Sequence, residues 1–397
     1  MELIRPSTIN GLPPEILSEI FLAFVQTVSF DVDDGPRMLE SVCRLWRDIT
    51  ITTPRLWASF VVVSRPDHAV CTANTLNVFL KRSGATPLTF TFCAAFTTAA
   101  THPLLERLMD HSARWKDVSL EIPLSLLPSL NRIHGRVGIL HSVSLRATGG
   151  MSAITDIAAF DDAPRLEKIS ILGNWSSVKH IALPWSTLTS YADETGTATD
   201  PCDLASAARL EHLTFRPLHP IPEAIYLPSL KSLRVLSGAC LEDFMENLSA
   251  PALEELFLDD MCLRYDLERV APSLESLLTR SNAHIRTLRV DYLACGDAAH
   301  LMQLFRCMPE LHTLEMRYWA PEELGELCRQ LKQPCDVLAE LETISLGSDM
   351  SGSVRDLVDL VESRWEGGGM KSLDWRYPIY DTFSLKRLKD MAEQGLE

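Results

Sequence analysis

Two hydrophobic rhythms run along this chain. The first occupies residues 12–25, LPPEILSEIFLAFV, where Ile16, Leu17, Ile20, Phe21 and Phe24 recur at i, i+1, i+4, i+5 and i+8, the stripe of a helix. Leu22, Ala23 and Val25 put further apolar surface on its other side. Pro13 and Pro14 suit the opening turn, whose N–H groups have no helical partner anyway, and Glu15 complements the positive end of the helix dipole. A polar loop over residues 29–36 ends the stretch. A second helix is expected from Arg37 through Ile49, on Met38, Leu39, Val42, Leu45, Trp46 and Ile49, before Thr50 to Pro54 breaks it and Arg55-Leu56-Trp57 follows.

The second rhythm fills the remainder: leucine, two residues, an apolar residue, one residue, another apolar one. It appears as APRLEKISI (163–171), ARLEHLTF (208–215), LPSLKSLRV (227–235), APALEELFL (250–258), HIRTLRV (284–290), MPELHTLEM (308–316) and AELETISL (339–346). Fainter copies are RWKDVSL (114–120), ILHSVSL (139–145) and SVKHIAL (177–183). Leading positions at 253, 285, 311, 341 and 370 bracket the length of a leucine-rich repeat of the helix-bearing kind. Helical patterns stand between the copies, in CLEDFMENL, CGDAAHLMQLFRCM, PEELGELCRQLKQ and SVRDLVDLVESRW. Strand, loop, helix and strand again imply parallel pairing in a curved solenoid, helices outside.

The expected fold class is therefore α/β: a small all-α module over 1–60, irregular early repeats over 61–160 and a leucine-rich-repeat-like array over 161–397. Within 184–206 the phrase disappears, which leaves a surface loop or a degenerate repeat. An ordinary α/β domain with coincidental leucine spacing is the alternative. Side chains alternate along a strand, so the leucines point into the stack and the residues between them line the concave face. The target-binding candidates on that face are Arg216, Arg234, Phe257, Asp259, Arg289, Asp291, Glu315 and Arg317.

The opening module holds more apolar matter than it can hide. A unit of roughly fifty residues buries only about 60% of its unfolded surface, yet this one carries Phe21, Phe24, Phe30, Trp46 and Trp57 besides its aliphatic residues. The excess either packs onto the rest of the chain or forms a docking surface for another protein. Its three blocks, LPPEILSEIF, SVCRLWRDI and TPRLW, resemble the F-box, the helical motif that binds Skp-type adaptors of cullin–RING ubiquitin ligases. Leu12, Pro13, Glu15, Ile16, Leu17, Ile20 and Phe21 match the first block, Val42, Cys43, Trp46 and Arg47 the second, and Pro54, Leu56 and Trp57 the third.

TLNVFLKRSGATPLTFTF and LMDHSARWKDVSLEIP, farther along, are similar to large F-box families of mushroom-forming fungi (basidiomycetes). The link between the first two blocks departs from the motif in carrying Asp31, Asp33 and Asp34. The resemblance implies adaptor contacts from Leu12, Pro13, Pro14, Ile16, Leu17, Ile20, Phe21, Val42, Leu45, Trp46 and Trp57. It also implies a cullin and a RING subunit reached through the adaptor.

Composition narrows the partners. The 397 residues carry 53 acidic and 37 basic side chains, a net charge of −16, without the basic stripe that a nucleic-acid or membrane-surface partner requires. Ten cysteines form no C-x-x-C and stand at no zinc-ligand spacing, as in a reducing compartment. The N-terminus lacks a signal-peptide pattern, and no run approaches the ~20 apolar residues of a membrane span. Cytoplasmic and/or nuclear placement is the expectation.

Chemistry is sparse. GGGMKS (367–372) lacks the upstream glycine of a phosphate loop, and DVDDG (31–35) lacks the ligand spacing of a calcium loop. Neither G-x-S-x-G nor H-E-x-x-H occurs. We expect no catalytic residue, metal or cofactor. The sequence suggests a substrate-recognition subunit of a ubiquitin ligase; the alternative is a non-catalytic repeat protein, a binder or scaffold whose F-box assembles no ligase.

Overall fold

A computed structural model describes residues 9–26, 35–64, 69–94, 101–149, 155–173, 175, 178–197, 200–259, 267–291, 298–317, 321–332, 335–347, 354–375 and 381–396. The acidic link at 31–34 lies outside them. The protein is mixed α/β and divides into two units, Met1–Thr187 with Thr197–Thr199, and Leu188–Gly196 with Asp200–Glu397.

The first unit opens with α1 (Pro14–Gln26), α2 (Pro36–Glu40) and α3 (Arg44–Thr52), then a 3-10 turn at Pro54–Trp57. The single helix expected over 37–49 is thus two. The Ser41 hydroxyl donates to the Met38 carbonyl, and Cys43 is extended as the residue that starts α3. Strand β1 (Ser59–Val63) follows directly, so the strand row begins ahead of the expected array. The helix α4 (Ala69–Arg82) leads into β2 (Leu88–Cys93), β3 (Trp115–Pro123), β4 (Ser142–Thr148) and β5 (Lys168–Gly173). These five strands pair in chain order and all in parallel. The faint copy at 177–183 does not join them: Val178–Ile181 pairs with Thr155–Ile157 in a separate two-stranded sheet. Gly173, at φ +90°, ends β5 against the Ala147 carbonyl, where a Cβ would collide.

Among the described residues, besides the short separate pair Ile225–Tyr226 and Leu248–Ser249, the second unit carries eight strands of one row: β6 (Ser190–Asp193), β7 (His212–Phe215), β8 (Ser232–Leu236), β9 (Glu255–Asp259), β10 (Thr287–Asp291), β11 (Thr313–Arg317), β12 (Thr343–Gly347) and β13 (Ser372–Trp375). They too pair in chain order, each parallel to the next. Strand β6 falls within 184–206, which makes that stretch a degenerate repeat. Helices Leu241–Asn247, Leu267–Ser281, Ala298–Arg306, Pro321–Leu331 and Val354–Glu366 alternate with the strands from β8 onward, each packed against the next, and Thr382–Glu393 follows β13.

Register explains the repeated phrase. Leu213, Leu233, Leu256, Leu288, Leu314 and Ile344 stand side by side, as do Phe215, Val235, Leu258, Val290, Met316 and Leu346, and all are buried. The leading positions Leu210, Leu230, Leu253, Ile285, Leu311, Leu341 and Met370 are buried as well. Each such side chain contributes about 1.5–3 kcal/mol when removed from water, and stacking the strands side by side is what lets neighbouring repeats bury them together.

Arginines close the helix ends. Arg364, only 3% exposed, donates to the carbonyls of Leu331, Val337 and Leu338. Arg280 donates to Met245 and Leu248, and Arg114 to Thr86 and the Ser83 hydroxyl. The Leu331, Met245 and Leu248 carbonyls lie at a helix terminus, where the backbone leaves acceptors without helical partners, and those of Thr86, Val337 and Leu338 lie in the connections that follow.

Candidate functional site

Apolar residues of the opening helices take two directions. Leu17, Phe21, Leu22 and Val25 of α1 are buried with Leu39, Ile49, Leu56 and Trp57, and the Phe21 ring meets Trp46 at 4.6 Å. Ile16, Ile20 and Phe24, spaced every four residues, remain exposed along the other side of α1, and Leu12, just ahead of the helix, is exposed as well. Met38, Val42, Leu45 and Ile51 are exposed on α2, α3 and the segment between them. Ile16 is 49% exposed and Val42 58%. Among the described residues, nine of the eleven exposed large apolar side chains fall between Ile9 and Ile51; Tyr226 and Phe383 are the others.

This divides the expected adaptor contacts. Leu12, Pro13, Pro14, Ile16, Ile20, Val42 and Leu45 are exposed, and Trp46 is half-buried. Leu17, Phe21 and Trp57 are buried inside the unit, so they support the platform rather than form its surface. The reason is physical: even a fifty-residue helical module needs a core, and the largest side chains fill it. Conversely, Ile9 and Ile51 belong to the exposed set without having been singled out, because neither block spacing nor helical period marks them, and Met38, marked only by the helical period, joins them.

The second group of candidates meets on β8 to β11. Arg234 pairs with Phe257 across β8 and β9, Phe257 with Arg289, and Arg289 with Glu315, one row of side chains in register. Asp259 binds Arg289 at 2.7 Å and Arg234 at 3.3 Å. Arg289 also reaches Asp291 at 3.5 Å, and Arg317 stands between Glu315 at 3.4 Å and Asp291 at 4.0 Å. Both Arg234 and Arg289 lie over the Phe257 ring, at 5.5 and 5.1 Å. Six of the eight target candidates thus form one ladder of alternating charge, with Phe257 between two of its arginines.

The ladder is largely closed on itself. Arg289 and Asp291 side chains are 13% and 14% exposed, whereas Arg234 and Arg317 are more open. Burial lifts the Asp291 carboxyl above its ordinary range; Arg289 and Arg317 oppose that shift, and Asp259 and Glu315 reinforce it. The Asp291 Oδ1 atom is enclosed without a hydrogen-bond partner among the described residues. Burial works against the Arg289 charge, but its bonds to Asp259 and the nearby carboxylates hold its pKa up. Arg216 lies apart from the ladder, its guanidinium donating to the Glu194 and Ser237 carbonyls as a structural brace.

Among the described residues no group of three or more histidine, cysteine or carboxylate side chains could hold a metal ion. No helix there is long and apolar enough to cross a membrane. Cys328 is buried and its thiol is pushed up to about 12, which makes it a packing residue rather than a nucleophile. No family model matches the chain, and no curated protein matches it.

Proposed function

We propose that this chain is the substrate-recognition subunit of an SCF-type (Skp–cullin–F-box) ubiquitin ligase. The observation that carries the reading is the concentration of exposed large apolar side chains on the opening helices. Leaving that much apolar surface in water is unfavourable by roughly 25 cal/mol per Å², and a partner protein that covers it recovers that free energy. The first two of the three sequence blocks that resemble the F-box carry Leu12, Ile16, Ile20, Val42 and Leu45 of this surface, and the third supplies Leu56 and Trp57 to the core beneath it, which supports a Skp-type adaptor as the partner, with cullin and RING subunits following through it. The parallel strands and alternating helices support a leucine-rich-repeat-like solenoid whose strand face holds the target protein. The chain's part in the reaction is then proximity: it raises the target's effective concentration beside the charged ubiquitin carrier.

Co-expression with a Skp-type adaptor and a cullin tests the proposal. The full chain is expected to co-purify with both, and a chain lacking residues 1–60 with neither. Capture of the adaptor without the cullin would favour the scaffold alternative, and absence of both would overturn the reading.

A further inference from the structure

At the N-terminal ends of β2 to β5 lies a hollow that neither the apolar platform nor the strand-face ladder uses. It measures about 710 Å³ and is lined by Pro87, Lys116, Ile139, His141, Arg165 and Glu167. Backbone bonds fix its wall: the His141 N–H donates to the Lys116 carbonyl at 2.7 Å, and the Glu167 N–H to the His141 carbonyl at 3.0 Å. Lys116 is the extra residue of a β-bulge, because Trp115 and Asp117 pair with the consecutive residues Leu88 and Thr89. A bulge re-aims a side chain out of the regular alternation, and the residue it frees here lines the hollow. In the second unit the same kind of row alternates in charge from Glu211 to Lys231, Glu254 and Arg286, and Lys231 binds Glu211 at 3.1 Å. The hollow is not matched in this way. Lys116 stands 3.6 Å from Asp117 and His141 Nδ1 3.7 Å from Glu167, both beyond hydrogen-bond length. Arg165 is exposed and makes no ion pair or side-chain hydrogen bond among the described residues. The lining therefore holds two permanent cations and an imidazole against one carboxylate. At its margin Asp117 and the exposed Lys168 offset one another, and Asp161 and Asp162, exposed ahead of Arg165, do not line it.

We propose that this hollow binds a small organic phosphate, a phosphate monoester carried on an apolar or ring-shaped body. A monoester bears about −1.5 to −2 charge at neutral pH and offers three strong acceptor oxygens. An ammonium, a guanidinium fork and an imidazole in one lining suit that dianion better than they suit a single carboxylate. Pro87 and Ile139 supply apolar wall for the body. The volume falls in the range of sites that enclose a whole small ligand, whereas one phosphorylated side chain fills only a part of it. The site stands apart from the adaptor reading, since every lining residue lies on or just ahead of β2 to β5 and none on the opening helices.

The test titrates phenyl phosphate into the full chain by calorimetry. Binding is expected, with inorganic phosphate and benzoate each about tenfold weaker or more, the first for want of an apolar body and the second for want of charge. Lys116→Ala combined with Arg165→Ala is expected to weaken phenyl phosphate about tenfold or more. Glu167→Gln removes the one carboxylate of the lining and is expected to tighten binding about threefold, a gain that damage to the fold cannot produce. Thermal melts of each variant keep folding defects apart from lost contacts. Absence of binding to the unmodified chain, or unchanged affinity in the double variant, would overturn the proposal. Benzoate binding as tightly as phenyl phosphate would overturn the phosphate assignment. Tighter binding of an alanine-flanked phosphoserine peptide would assign the site to a modified protein and overturn the small ligand. Adaptor capture does not enter the measurement, so failure here leaves the adaptor reading where it stood.

Discussion

The Arg82 guanidinium lies over the Trp57 ring, 4.4 Å from its centroid, and ion-pairs with Glu40. Trp57 in turn donates from its indole N–H to the Thr50 carbonyl at 2.8 Å and meets Phe79 edge-on at 4.9 Å. One tryptophan therefore ties α3 and α4 together. Trp57→Ala is expected to cost about 3–5 kcal/mol, the range for an aromatic removed from a packed core. Arg82→Met is expected to cost about 1 kcal/mol through the lost cation–π contact. Denaturant unfolding checks both. A Trp57→Ala chain with unchanged stability would show that this residue belongs to the docking surface after all.

The two faces of α1 predict opposite behaviour for adjacent residues. Ile16→Asp removes an exposed side chain and is expected to change stability by no more than about 0.5 kcal/mol, yet to reduce adaptor capture at least tenfold. Leu17→Ala, one position on, opens a cavity in the module and is expected to cost about 2–5 kcal/mol. Melting curves and a binding titration on the same two variants separate the faces. Loss of stability in Ile16→Asp would contradict the exposure on which the platform rests.

Why some features are legible in the sequence and others are not follows from what each depends on. Strands β7 to β12 announce themselves because two inward positions per strand are apolar, as in Leu288 and Val290. Strand β6 is silent because one inward position is Asp193, which is buried and takes hydrogen bonds from the Tyr191 hydroxyl and the Thr195 and Gly196 amides. Strand β2 uses Phe90 and Phe92 where the later copies use leucine or valine. At the module, apolar excess is a matter of counting, but which residue faces in requires the packing of α1 on α3. The ladder is the clearest limit: Asp259 and Arg289 are each recognisable as strand-face residues, but their bond depends on the register between β9 and β10.

That ladder makes stability depend on pH through Asp291. Its folded carboxyl titrates above the usual value because burial disfavours the charge. The folded state therefore binds this proton more tightly than the unfolded state does. The stabilisation is fully present below the ordinary carboxylate pKa of 3.8 and is lost as pH rises through the folded value. Asp291→Asn is expected to remove this loss, so the variant's unfolding free energy should fall less than that of the unmodified chain from acid toward neutral pH. Urea unfolding across that interval measures the difference. A steeper fall in the variant would mean that the pairing with Arg289 and Arg317 outweighs burial.

Arg364 tests how the repeats are held to one another. Its three bonds, at 3.1, 2.7 and 3.0 Å, fan out to the carbonyls of Leu331, Leu338 and Val337. Leu331 ends the helix Pro321–Leu331, and Leu338 sits at φ +56°, a conformation that non-glycine residues hold only under constraint. Burial lowers the Arg364 pKa, but guanidinium stays charged across the accessible pH range. Arg364→Met keeps the volume and takes the guanidinium donor away from three carbonyls, of which that of Leu338 retains the Leu341 N–H at 3.2 Å. With hydrogen bonds to a charged group worth about 1.5–3 kcal/mol each and not additive, the expected cost is about 3 kcal/mol. Arg364→Lys should restore little of it, because one ammonium on a flexible stem cannot reproduce the planar fork that reaches three separated carbonyls. Recovery of full stability with lysine would show that positive charge, rather than the geometry of the fork, closes this repeat.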